Sequence, residues 1–187
     1  MQRLSHFLMC ALIWFAWAPI SLSASEESAL DALFAELKAS DDLIEMAEVQ
    51  NQIWARWYVL PEGAEHMQSE FDAGMRALGL AMPMTAIDHF TKVIDEAPEF
   101  AEAWNRRATT YFMIGDFESS LRDIQETLIR EPRHFGAISG LSMIFEQNGD
   151  LPRALAAEQM LLELIPNDPR IQARVRAFEK ALGVGQI

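Results

Sequence analysis

The stretch that decides the fold runs Ala101-Glu-Ala-Trp104-Asn-Arg-Arg-Ala108-Thr-Thr-Tyr111-Phe-Met-Ile-Gly115-Asp-Phe117 and closes at Pro132. Its apolar residues fall three and four apart, as one buried helical face requires, until Gly115-Asp116 interrupts them. A second helical run through Ser120, Ile124 and Leu128 follows and stops at the proline. Glycine supplies a permissive backbone after a helix end, so this is two short helices joined by a tight turn. The same punctuation recurs along the chain. Pro98, Pro132 and Pro166 stand 34 residues apart, and Gly115 and Gly149 share that interval, each followed by aspartate.

A fixed period of this length marks a repeat architecture. Trp104, Tyr111, Gly115 and Pro132 occupy the tryptophan, tyrosine, glycine and proline slots of a tetratricopeptide repeat, with Arg107 in place of the usual leucine. Ile138, Leu141, Ser142, Phe145, Gly149, Ala154, Leu162 and Pro166 fill the next copy. Gly74, Ala77, Ala86, Phe90, Ile94 and Pro98 fill a more diverged earlier one, with Glu70 in the tryptophan slot and Pro83 opening the second helix. The chain thus resembles tetratricopeptide-repeat proteins of the bacterial exported type. The expected fold is all-α, a right-handed solenoid of antiparallel helix pairs with repeats at about 67–100, 101–134 and 135–168. After Asn167-Asp-Pro169, the stripe Ile171, Val175, Phe178 and Leu182 reads as a helix capping the last repeat.

Before the repeats, residues 25–63 read as an acidic helical hairpin. Leu30, Leu33, Phe34 and Leu37 make one apolar face, and Leu43, Met46, Ile53, Trp54, Trp57 and Tyr58 make another. Within the segment 26–48, Glu26, Glu27, Asp31, Glu36, Asp41, Asp42, Glu45 and Glu48 stand against Lys38 alone, the pattern of a solvated surface, the alternative being a binding surface for a basic partner. The cluster Trp54, Trp57 and Tyr58 is expected to pack the hairpin onto the first repeat, the alternative being a partner hot spot.

Residues 1–24 have the order of a secretory leader: Arg3, an apolar run from Phe7 to Trp17, then Pro19 and the small residues Ser21 to Ala24. The expected location is therefore outside the cytoplasm, in the periplasm of a bacterial envelope, with cleavage after Ser23 or Ala24. An uncleaved inner-membrane anchor is the alternative, because no charge lies between His6 and Glu26. Cys10 is the sole cysteine and lies within that run.

The chain carries 15 Lys and Arg against 28 Asp and Glu, a net charge of −13. Nucleic acid and anionic membrane surfaces are disfavoured as partners, since no dense basic face offsets this charge. His66, His89 and His134 form no metal-binding pattern, and no nucleophile motif or phosphate-cradling loop is present. No catalytic residue, cofactor or metal is expected, and the chain reads as a non-enzyme.

In the family the first helices of successive repeats line a concave groove. That resemblance assigns a protein- or peptide-binding face to Phe71, Met75 and Leu78, then Asn105, Thr109, Phe112 and Met113, then Ser139, Met143 and Glu146. Methionine suits adaptable apolar recognition. The lysine, asparagine and arginine that clamp a peptide carboxylate in some members are not reproduced, with Arg106 the one basic side chain nearby. The expected function is an adaptor or assembly scaffold of the cell envelope with a protein partner. The alternative is a structural subunit whose groove is filled by its own chain. Weak head-to-tail self-association, basic last helix to acidic hairpin, is a further expectation.

Overall fold

The computed structural model describes residues 24–184, and these form α-helices joined by short turns, with no strand among them. In chain order they are α1 (Ala24–Ala39), α2 (Leu43–Trp57), α3 (Gln68–Gly79), α4 (Pro83–Glu96), α5 (Ala101–Met113), α6 (Phe117–Arg130), α7 (Phe135–Gln147), α8 (Leu151–Leu164) and α9 (Pro169–Leu182), with a short 3₁₀ turn at Glu65–Met67. The leader reading falls outside the described residues. None of the described helices is long and apolar enough to cross a membrane.

Helices α3 and α4, α5 and α6, and α7 and α8 pair within repeats, and α4 with α5 and α8 with α9 continue the stack. Aspartate starts several helices for one reason: its carboxylate accepts the otherwise unpaired N–H groups of the first turn. Asp42 caps α2, Asp116 caps α6, Asp150 caps α8 and Asp168 caps α9. Pro83 is the first residue of α4, where a missing N–H costs nothing.

Within repeats, the glycine punctuation has a backbone cause. Gly115 and Gly149 sit at φ +81° and +72°, in the left-handed region. The first repeat meets the same demand with Ala81 at φ +54°, the one non-glycine residue with positive φ among the described residues. The small-residue slot of the first helix is equally strict. A Cβ on Gly74 would lie 2.6 Å from the Phe90 ring, whereas the later repeats hold Ala108 and Ser142 there.

Arg107, the departure from the leucine slot, lies in a partly buried ion pair. Its guanidinium donates to both Asp123 oxygens at 2.7 and 2.9 Å and to the Thr91 hydroxyl at 3.0 Å. Three helices, α4, α5 and α6, are joined through this one side chain.

The hairpin corrects one expectation. Of its aromatic cluster only Tyr58 meets the first repeat, edge-on to Phe71. Trp54 and Trp57 pack instead on Phe135 at the start of α7. Leu30, Leu33, Phe34, Leu37, Met46, Val49 and Ile53 are buried in one cluster with Ile138, Leu161, Ile165 and Ile171 of the third repeat and α9. The reason is chemical: the third repeat presents apolar residues at the α8–α9 junction, which the hairpin's two apolar faces cover. Arg133 donating to Asp31 and Asn167 donating to the Ser40 carbonyl at 2.9 Å fix its position. Each buried side chain of that size contributes ~1.5–3 kcal/mol relative to exposure, so the hairpin is an integral part of the core.

Candidate peptide-binding face

Helices α3, α5 and α7 stand side by side, and residues 34 apart form rows across them. Phe71, Asn105 and Ser139 make one row, and Met75, Thr109 and Met143 make the next, one turn toward the helix C-termini. These two rows meet different surroundings.

The N-terminal part of the face lies beneath α2. Trp54 stands edge-on to His134 and Phe135 at 5.3 and 5.2 Å, and a Cβ on Gly136 would come within 2.8 Å of its ring. Glycine is therefore what admits the indole. Trp57 stacks on His134 at 4.2 Å and 14°, and its N–H donates to Glu131 at 3.3 Å. The Arg106 guanidinium lies over both Trp54 and Tyr58 and donates to the Tyr58 hydroxyl. Burial pushes the Tyr58 phenol upward in pKa, with the Arg106 charge opposing.

A buried polar node lies under this aromatic cover. Glu102 and His134 are both 0% exposed, and His134 Nε2 lies 2.9 Å from Glu102 Oε2. His134 Nδ1 accepts the Ala137 N–H at 3.1 Å, capping α7, which leaves Nε2 as the donor to the carboxylate. Asn105 donates to the same Glu102 oxygen at 3.0 Å, and Arg106 donates to the other. No fully buried side-chain nitrogen or oxygen of these residues lacks a hydrogen-bond partner, as a buried network needs to be stable. On sequence alone His134 reads as an isolated junction residue. The available signal is its register: 34 residues on stands Asp168, the cap of α9.

The assigned residues therefore divide. Phe71 and Asn105 are buried, Phe71 against Phe90, Phe100 and Tyr58, and Asn105 in the polar node. Met75, Leu78, Phe112 and Ser139 are half-buried, Phe112 against Phe117 and Ser139 donating to the Phe135 carbonyl at 2.8 Å. Thr109 and Glu146 are exposed, as are Met113 at 57% and Met143 at 44%. Glu146 accepts from Arg174 of α9 at 2.9 Å. The open part of the face is thus the C-terminal part, with methionine its main apolar chemistry.

Elsewhere, His89 and Lys92 of α4 hold Glu70 of α3 at 2.9 and 2.7 Å. Lys92 first, then His89, lowers the Glu70 pKa by donating to its carboxylate. A polar hollow of about 490 Å³ adjoins this contact, lined by His66, Met67, Ser69, Asp95 and Glu96 among others. Among the described residues no cluster of histidine, cysteine and acidic groups is arranged to hold a metal. The basic character of α9 is partly used within the chain, because Arg170 pairs with Asp168 and Arg174 with Glu146 and Glu158. That reduces what the last helix can offer an acidic hairpin of another copy.

Comparison with known proteins agrees with this architecture. A tetratricopeptide-repeat family model matches residues 107–169. A TPR repeat-containing protein of Rhizobium etli is 32% identical over 160 residues, which cover 86% of this chain and 78% of that protein. Among solved structures, the first TPR of Spaghetti (RPAP3) bound to an HSP90 peptide superposes with a TM-score of 0.58 at 22% identity, covering 63% of this chain and 93% of that one. MamA superposes with a TM-score of 0.59 at 16% identity, covering 76% and 86%. With its repeats in place and a relative of this similarity, the chain belongs to the tetratricopeptide-repeat family.

Proposed function

We propose that this protein is a non-catalytic binding scaffold of the bacterial cell envelope, which captures an apolar peptide segment on the C-terminal part of its concave face. The observation that carries the reading is the exposure of Met113 and Met143 beside Thr109, on a face that α2 leaves uncovered. Unbranched, polarizable methionine side chains adapt to apolar partners of differing shape. A helix or extended peptide laid along a groove is a recurrent mode of recognition.

The partner does not enter through a terminal carboxylate. Arg106, the one basic side chain near the relevant slots, is held by Glu102 and Tyr58 under the hairpin. The peptide bound by Spaghetti is a property of that protein, and it supports here only the general use of this fold for peptides. Export rests on the order of Arg3, the apolar run and the small residues before Ser25. Periplasmic fractionation with N-terminal sequencing of the recovered protein tests it. A new N-terminus near Ser25 is the expected result, whereas an intact leader in the membrane fraction selects the anchored alternative.

A structural subunit with a self-filled groove is the second reading, favoured by Trp54 of α2 over Gly136 and by Tyr58, just past α2, over Phe71. Met143→Asp separates the two. It places a charge on the open face while the buried core is untouched. Weakened capture of an envelope partner with unchanged melting supports the scaffold, and capture unaffected by the substitution supports the structural reading.

A further inference from the structure

The second and third repeats differ on their outer side. In the second, the Arg107 guanidinium fills the space between α4 and α5, reaching Thr91 and lying 5.0 Å from the Trp104 ring. Thirty-four residues later Leu141 replaces Arg107, Ile138 replaces Trp104, and Ala157 replaces its partner Asp123. Both space-filling side chains shrink and the charge that would call for a guanidinium is gone. What remains between α6 and α7 is a cleft of about 400 Å³, lined by Leu121, Ile124, Gln125, Leu128, Ile129 and Leu141.

Ile129 stands 64% exposed at the rim of this cleft. The equivalent residues on α4 and α8 are the exposed acids Asp95 and Glu163, so an isoleucine here departs from the pattern of its own repeats. Electrostatics single out the same helix. Two copies of a chain with net charge −13 repel each other unless they meet on a locally balanced surface. On α6, Glu118 pairs with Arg122, Glu126 with Arg130, and Asp123 with Arg107, so no unpaired charge lies on it.

We propose that the outer side of α6 is a two-fold interface with a second copy of this chain, in which Ile129 of each copy enters the cleft of the other. Leu121, Gln125 and Ile129 are spaced by four and share one stripe of the helix. A two-fold axis through Gln125 sets antiparallel α6 helices together and brings each Ile129 to the Leu121 end of the opposite cleft. A two-fold contact requires a self-complementary patch, and this stripe carries both the projecting side chain and the space for it. An unrelated partner would need only the space. This interface is separate from the concave face and from the head-to-tail association expected from the sequence.

Sedimentation velocity of the full chain, beside Ile129→Glu, tests the interface. The parent is expected to dimerise with rising concentration. The glutamate is expected to weaken association at least about tenfold, because a carboxylate enters an apolar cleft, with an unchanged thermal melt because the residue is exposed. In a Cys10→Ser background, Gln125→Cys is expected to give a disulfide-linked dimer on mild oxidation, and added Ile129→Glu to suppress it. A parent that stays monomeric at about 100 µM overturns the proposal, since standard interfaces hold at far lower concentration. So does a dimer indifferent to Ile129→Glu, or one that the Gln125→Cys substitution fails to link. Loss of a different protein from a monomeric Ile129→Glu chain also overturns it and assigns the cleft to that protein.

Discussion

The two ends of the concave face use the same helices for opposite purposes. At the N-terminal end, Glu102, Asn105 and His134 are buried, Arg106 is held against Trp54 and Tyr58, and the surface is spent on holding the hairpin. One turn further on, Thr109, Met113 and Met143 face outward with nothing from the described chain across them. Position in the repeat therefore does not by itself decide whether a residue of this face is left open to solvent. What decides is which rows the flanking segment covers.

The largest effect is expected from the covered end. Trp57→Ala removes a buried indole that stacks on His134 and donates to Glu131, and should cost about 3–5 kcal/mol in denaturant unfolding. Because Trp57 shares its core with Phe135 and Ile138, hydrogen exchange should accelerate in α7 as well as in the hairpin. Exchange confined to α1 and α2 would contradict a shared core, by making the hairpin an independent appendage. His134→Ala should cost about 3 kcal/mol, since it strips the α7 cap and leaves the Glu102 carboxylate with one buried donor fewer.

Much of this fold is legible in the order of residues. The 34-residue interval marks the turns, because proline and glycine report backbone demands that are local: a helix end and a positive φ. Gly115 and Gly149 meet that demand directly, and Ala81 is visible only by register. The docking of the hairpin is not legible in the same way. It depends on contacts such as Trp57 to Glu131 and Asn167 to Ser40, separated by 74 and 127 residues, which leave no periodic trace. The same holds for the candidate face. The rows could be assigned by register, but which row α2 covers follows from three-dimensional packing of Trp54 onto Gly136.

Smaller effects sharpen the picture in the remaining repeat. Ala81→Gly should stabilise the chain by about 1 kcal/mol, read as a rise in denaturation midpoint, because the first turn would no longer hold a Cβ at positive φ. The capping aspartates give the smallest effect, seen only in acid. The Ser119 hydroxyl and N–H hold the Asp116 carboxyl below its ordinary value, and Arg153 does the same for Asp150. A depressed pKa stabilises the fold above the unfolded value of 3.8, and that contribution is lost as pH falls through the lower folded value. Asp116→Asn with Asp150→Asn should therefore flatten the acid side of the stability profile, while the asparagines keep the caps near neutrality.

The most direct measurement is site-specific photocrosslinking in cells, with the reactive side chain placed in turn at Met143 on the open end and at Ala55 on the exposed back of α2. Crosslinks from position 143 to an envelope protein, absent or much weaker from position 55, are the expected result. Equal crosslinking from both positions, or crosslinking from position 55 alone, would contradict a partner site on the uncovered end of the face.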